Sequence, residues 1–282
     1  MKRISIKNPK EILKQEKDEY KYLSPHIYFD KKNYFLAYCN RKSPKKFYGE
    51  INFAKSNDLK KWKKIKNLSI KPKPKKIYRS YLSPAFINLD NKNYILLEGQ
   101  KKIETEIKFF SSKNNIDWKE ESLKFGLKKK NNLYQSPVVF KDKGKLFLFF
   151  SYNRNEIRCL ILNNKFKKIK SISCFKSSFQ NELFSIYSPS IIKHNNKYYM
   201  FYAAWKDAVN GNINIAVSEN LIKWRKIKKN IFKISKPISI ISEPFLFRKE
   251  NNIFLFFEYK KKTIWNIAYK KLSLKEFSNL IN

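Results

Sequence analysis

The chain has 282 residues, 42% hydrophobic and 16% aromatic, and a formal net charge of +39. That content buries a large core, as one big domain or two modest ones, and no apolar run approaches the ~18 residues a membrane span needs. Three scattered cysteines, Cys39, Cys159 and Cys174, give neither a disulfide framework nor a paired metal motif, so neither a metal nor a cofactor is expected.

Of the 62 basic residues only seven are Arg, and the Lys residues are spread over every turn. Lys, Asn, Ile, Phe and Tyr, all with AT-rich codons, are abundant together, so the charge reads as a low-GC surface. A nucleic-acid reader would use more Arg at bidentate contacts. Some long-range attraction for anions remains. The opening MKRISIKNPKEILKQEKDEY is charged throughout and lacks the apolar region of a signal peptide. A cytoplasmic, reduced, monomeric protein without a membrane partner is expected.

Residues 1–20 stand apart from the rest. Lys2 to Lys7 alternates like a strand, and Pro9 to Tyr20 is polar. From residue 21 to 282 one pattern recurs five times. The first copy begins Tyr22-Leu23-Ser24-Pro25, followed by the strand HIYF, a turn at Asp30 to Asn33, Tyr34 to Cys39, and Tyr48 to Lys55. The second begins Tyr81-Leu82-Ser83-Pro84, the third Tyr134-Gln135-Ser136-Pro137, the fourth Tyr187-Ser188-Pro189 and the fifth Ser242-Glu243-Pro244. Three copies end in Trp62, Trp118 or Trp224, where packing between units is expected. Five units of three to four strands, each near 50 residues, define an all-β fold, a five-bladed β-propeller. The fifth unit has no room for an outer strand, and residues 2–7 are expected to supply it.

In an up-and-down blade the start of the first strand and the end of the second lie on one face. That face collects the residues around the marker prolines and the loops after each second strand. A propeller's central funnel is a natural concave site. Candidates for binding are Tyr22, Tyr81, Tyr134, Tyr187, His26, Arg79, Arg154 and Trp205, since rings stack on sugar faces and guanidinium groups bond hydroxyls or an anionic substituent. Asn40, Arg41 and Gln100 belong to the same face. Candidate carboxylates are Glu243, the one acid at a marker position, with Glu98, Asp207 and Glu258 from the loops and strand ends. Each has a bland alternative: Glu98 and Glu258 as rim ion pairs, Asp207 as a turn cap, His26 as a hydrogen-bonded strand residue.

The YxSP starts, the second strand Lys197 to Tyr202 and the ending Ser218 to Trp224 resemble the five-bladed glycosidases of glycoside hydrolase families 43 and 32 and their relatives. The resemblance covers roughly residues 20–270. It implies hydrolysis of a glycoside, with a base or nucleophile in the first blade and a general-acid Glu in a later Glu-Pro segment. By that resemblance Glu243 is the acid, while Ser24 stands where an acidic residue is expected in the first blade. A glycosidase-like enzyme acting on a carbohydrate, neutral or anionic, is therefore the leading reading. The alternatives are a non-catalytic propeller that binds a glycan or a protein partner and, less favoured, a basic nucleic-acid-binding propeller. The Ser…Trp endings match sialidase boxes only loosely, because they lack the Gly those require.

Overall fold

A computed structural model describes residues 3–7, 9–16, 20–30, 32–41, 48–73, 77–123, 125–127 and 132–282. After the short strand β1 (Ile4–Ile6), the first blade comprises β2 (Lys21–Phe29), β3 (Tyr34–Arg41), β4 (Gly49–Ser56) and β5 (Lys63–Ile70). The second comprises β6 (Ser80–Leu89), β7 (Lys92–Gln100), β8 (Thr105–Ser112) and β9 (Lys119–Glu120). The third comprises β10 (Tyr134–Asp142), β11 (Lys145–Tyr152), β12 (Glu156–Leu162) and β13 (Lys168–Lys176). A single 3-10 turn, Gln180–Glu182, leads into the fourth blade: β14 (Ser185–His194), β15 (Lys197–Trp205), β16 (Gly211–Ser218) and β17 (Arg225–Lys228). After β18 (Phe232–Ile234) the fifth blade comprises β19 (Ile238–Lys249), β20 (Asn252–Lys261) and β21 (Ile264–Ser273), followed by helix α1 (Leu274–Ile281). Within each blade neighbouring strands are antiparallel.

The first strands begin earlier than the sequence pattern suggests, because each runs through its marker proline by way of a β-bulge. The ladder skips from Leu23 to His26, Leu82 to Ala85, Gln135 to Val138, Tyr187 to Ser190 and Ser242 to Phe245. The skipped pair is the unpaired excess of the bulged strand. The first of the two is left-handed in every blade: φ is 55° at Ser24, 48° at Ser83, 51° at Ser136, 49° at Ser188 and 47° at Glu243. A side chain in that conformation costs about 1–2 kcal/mol, and the following proline has no N–H to lose from the ladder. The bulge turns one side chain per blade toward the axis.

The core lies between blades. Trp62 packs edge-on to Phe256 of the fifth blade, Trp118 stacks on Phe53 of the first, and Trp224 meets Phe149 of the third. Each Trp therefore seals a seam with the preceding blade. Fully buried rings such as Phe149, Phe201 and Phe256 contribute about 1.5–3 kcal/mol each. The Trp turns repeat in detail: Ser56 Oγ accepts from Leu59 N–H at 3.0 Å, and Trp62 Nε1 donates to Leu59 O at 3.1 Å. Trp224 Nε1 donates likewise to Leu221 O at 3.1 Å.

The closing strand differs from expectation. Ile4–Ile6 is a strand, but it pairs in parallel with β18 and buries Ile4 and Ile6 in the seam between the fourth and fifth blades. Lys2 lies outside the described residues. Residues 11–15 lie against the outer edge of β21 instead. Glu11 bridges Ala268, Ile12 N–H donates to Ile267 O at 3.1 Å, and Gln15 Nε2 donates to Trp265 O at 2.6 Å. The reason is apolar content. Ile12 and Leu13 fill the seam between the fifth and first blades, a burial that the polar look of residues 9–20 conceals.

Candidate active site

On the face that carries the starts of the first strands, a cavity of about 240 Å³ opens along the axis. Its walls include Ser24, Arg41, Ser83, Glu98, Gln100, Gln135, Ser136, Arg154, Phe184, Tyr187, Trp205 and Glu243. Below it the five marker pairs, from Ser24-Pro25 to Glu243-Pro244, pinch the axis to about 30 Å³. The funnel therefore has a floor, and the residues in left-handed conformation form that floor.

Four of the floor residues are hydroxyls already engaged. Ser136 Oγ lies 3.2 Å from Ser83 Oγ and accepts from Ser188 Oγ at 3.1 Å. Ser24 donates to Glu243 through both its hydroxyl and its backbone N–H. Only the fifth blade places an acid here. Glu243 Oε2 is buried with no hydrogen-bond partner, and so is Glu258 Oε2. Burial first, with the nearby Glu98 charge, pushes the Glu243 carboxyl up to about 7, opposed by Ser24 and Arg41. Glu258, on β20 of the same blade, is likewise raised by burial and by Glu243, with Lys21 and Arg41 pulling the other way.

Glu98 reaches the cavity from the second blade, near the end of β7. It is 2% exposed. Its Oε2 accepts from Ser136 N–H at 3.0 Å and its Oε1 from Gln135 Nε2 at 3.3 Å. Burial raises its pKa, while those two donors and the guanidinium groups of Arg41 and Arg154 counteract the shift. Arg41 thus sits electrostatically among three carboxylates contributed by the second and fifth blades.

One wall is aromatic. Trp205 stacks on Trp265 at 6.3 Å and on Tyr187 at 6.3 Å. Trp205 Nε1 donates to Ser242 Oγ at 3.0 Å, and Tyr187 Oη lies 3.2 Å from the same atom. Ser242 thereby fixes both rings beside Glu243. Gly211 makes this possible, since a Cβ there would lie 2.8 Å from Trp205 Cε2.

Of the residues singled out from the sequence, Glu98, Glu243, Arg154, Tyr187 and Trp205 line the cavity, and Glu258 lies just behind Glu243. The others are placed elsewhere. Asp207 sits in a surface loop, where its carboxylate accepts from Asn210 Nδ2 at 2.7 Å and 2.9 Å and from the N–H groups of Val209 and Asn210. Those bonds, the Asn210 amide foremost, hold its pKa down; it is a turn cap. Arg79 points to solvent, because strand alternation buries its neighbours Tyr78 and Ser80 instead. Tyr22, Tyr81 and Tyr134 are buried between blades. Tyr22 Oη donates to Lys14 O and Tyr81 Oη to Lys73 O. His26 lines only the pinched floor. Its ring packs 4.1 Å from that of Phe245, its Nδ1 accepts from Phe86 N–H at 3.3 Å, and burial pushes its pKa down to about 3, so it stays neutral.

Arg41 and Gln100 belong to this face by the repeat pattern, and the structure raises both to cavity walls. Their signal is positional: each is the last residue of a second strand, and the two are equivalent in the first and second blades. Phe184 and Gln135 carry no such signal.

These features define a propeller of the glycoside-hydrolase type. The chain matches the Glycosyl hydrolases family 43 model over residues 19–230 and belongs to that family. The match ends before Glu243 and Glu258. Among solved structures, a thermostable family-43 glycoside hydrolase aligns with a TM-score of 0.73 at 17% identity, covering 89% of each chain. The catalytic domain of a Coprinopsis cinerea family-62 α-L-arabinofuranosidase aligns with a TM-score of 0.71 at 11% identity, covering 95% of this chain and 96% of that one. A protein solved as an RGII complex aligns with a TM-score of 0.73 at 13% identity, covering 93% of this chain and 90% of that one. No curated protein matches the sequence.

Proposed function

We propose that this glycosidase-like propeller hydrolyses a glycosidic bond, with Glu243 as general acid and Glu98 as the second carboxylate. The observation that carries this reading is that both acids line one aromatic-walled cavity from different blades, both raised by burial, with Glu98 holding two N–H donors and Glu243 keeping an oxygen without a partner. Hydrolysis needs one carboxylic acid to protonate the leaving oxygen and one carboxylate to act as base or nucleophile. Glu243, desolvated and facing like charge, keeps its proton toward neutral pH. Glu98 is raised by burial too, but its two N–H donors and two guanidinium neighbours oppose that shift and favour it as the carboxylate of the pair. Tyr187 and Trp205 supply the ring surface against which a sugar face stacks.

Arg41 and Arg154, two of the seven Arg in the chain, line the same cavity. They support an acidic sugar as substrate, a carboxylate being the natural partner of a guanidinium fork. The RGII complex of one structural neighbour is in keeping with a glycan ligand but adds no residue to the argument.

The test is a panel of aryl glycosides, neutral and uronic, assayed with the parent protein and with Glu243→Gln and Glu98→Gln. The expected result is turnover of at least one member, falling about 10²- to 10⁴-fold in Glu243→Gln, with the Glu98→Gln loss less rescued by an activated leaving group. Unchanged turnover in Glu243→Gln overturns the assignment. One observation favours a second reading: the marker serines of four blades are bonded to one another or to Glu243 rather than free for chemistry. Saturable sugar binding without turnover of any member would establish that non-catalytic, glycan-binding role.

A further inference from the structure

Nine large apolar side chains stand about half exposed or more among the described residues, and their placement is uneven. Ile103 (70%), Leu183 (72%), Phe184 (49%) and Val209 (60%) sit on loops of the funnel face, and Ile264 (50%) at a strand start on it. Ile103 follows β7, Leu183 and Phe184 precede β14, Val209 follows β15, and Ile264 opens β21. Ile77 leads into β6 on the same side. Of the nine, the opposite face carries Phe29, Ile116 and Ile169, the last at the start of β13 beside the end of β12.

These loops, like the chain's other turns, are basic, and here the cations stand beside the apolar tips. Lys102, Lys206, Lys261 and Lys262 are exposed beside these apolar tips, and Arg154 stands at the third blade's corner. The acids there are already occupied. Glu104 pairs with Lys101 at 2.9 Å, and Asp207 is held by its own loop. Isolated exposed apolar residues need no explanation, but apolar tips clustered around a site mouth and framed by exposed cations do. A nucleic acid would use the cations and leave the aliphatic tips in water. An interfacial contact with an anionic bilayer uses both, since aliphatic side chains enter the headgroup region while Lys residues meet lipid charge, each worth about 1 kcal/mol near the surface.

We propose that the funnel face docks on an anionic lipid surface, so that the cavity faces glycans tethered to that surface. The sequence argues against a membrane partner on the absence of a spanning segment, and no helix among the described residues is long and apolar enough to cross. Docking by loop tips needs no span.

The test is co-sedimentation of the full chain with vesicles of phosphatidylcholine alone and of phosphatidylcholine with about one quarter phosphatidylglycerol. Binding is expected to the anionic vesicles, and to weaken at high salt. Leu183→Asp/Val209→Asp/Ile264→Asp is expected to lower the partition coefficient at least tenfold. Phe29→Asp/Ile116→Asp/Ile169→Asp on the opposite face, which changes charge by the same amount, is expected to leave it within twofold. Charge reversal at Lys102, Lys206 and Lys261 is an independent variant with the same expected loss. Equal losses in the two Asp sets would reduce the effect to net charge and overturn the proposal, as would absence of binding to the anionic vesicles. Because the readout is binding to lipid, it is independent of whether any glycoside is turned over.

Discussion

Glu182 at the entry to the fourth blade and Glu243 in the fifth are treated oppositely. Glu182, fully buried in the approach to β14, is saturated. Its carboxylate accepts from Lys226 Nζ at 2.7 Å, Tyr202 Oη at 2.7 Å, Asn214 Nδ2 at 2.9 Å and the N–H groups of Ser178 and Phe179 at 2.9 Å and 3.1 Å. Burial pushes its pKa up, yet these donors outweigh it and hold the group below the ordinary value. Glu243 in the fifth blade has Ser24 as its donor and a second oxygen with no partner, and it is pushed up. What bonds a carboxylate, and not only how deeply it sits, therefore sets its chemistry. A carboxylate satisfied on all sides is a structural anchor, while one left half satisfied beside a cavity is available to exchange a proton.

Breaking the anchor should give the largest effect. Glu182→Ala takes the acceptor from the buried Tyr202 hydroxyl and Asn214 amide, while Lys226 Nζ keeps Lys176 O and Ser178 Oγ, and the expected loss is about 2–4 kcal/mol of unfolding free energy in urea titrations. A loss under about 1 kcal/mol would remove the contrast between the two glutamates. The marker positions sharpen the comparison at smaller scale. Ser188→Ala in the fourth blade removes one bond to Ser136 from a position with the same left-handed backbone as Glu243. About 0.5–1.5 kcal/mol is expected to be lost, measured the same way, and turnover should be unchanged if the position is architecture in that blade and chemistry only in the fifth.

Much of this is legible in the sequence. Five marker prolines give the blade count, and the up-and-down rule brings Glu98, Arg41, Gln100 and Trp205 to one face with Glu243. Two kinds of information are not there. Strand alternation decides that Arg79 points outward and that Tyr22, Tyr81 and Tyr134 pack between blades, and a marker proline gives the start of a strand but not the phase after a bulge. The bonding of a carboxylate is equally hidden. Asp207 stands out in the sequence and Glu182 does not, because a polar loop looks alike whether its acid caps a turn, anchors a core or faces a cavity. The closing segment shows the same limit: Ile12 and Leu13, two apolar residues in a charged stretch, decide where residues 11–15 dock.

The central claim is that the fifth blade alone presents, on the funnel floor, a buried acid that keeps its proton toward neutral pH, and the pH dependence of stability tests it most directly. Below the ordinary value of 4.5 both the folded and the unfolded chain hold the Glu243 proton. Between 4.5 and about 7 the unfolded chain releases it while the folded chain keeps it. The parent should therefore lose stability as pH rises through that window, at up to about 1.4 kcal/mol per unit for this group. Glu243→Gln cannot ionise. Its unfolding free energy, measured in urea from pH 4.5 upward, should rise relative to the parent's up to about pH 7 and then run level. Parallel curves, or a parent that gains on the variant as pH rises, would contradict the claim.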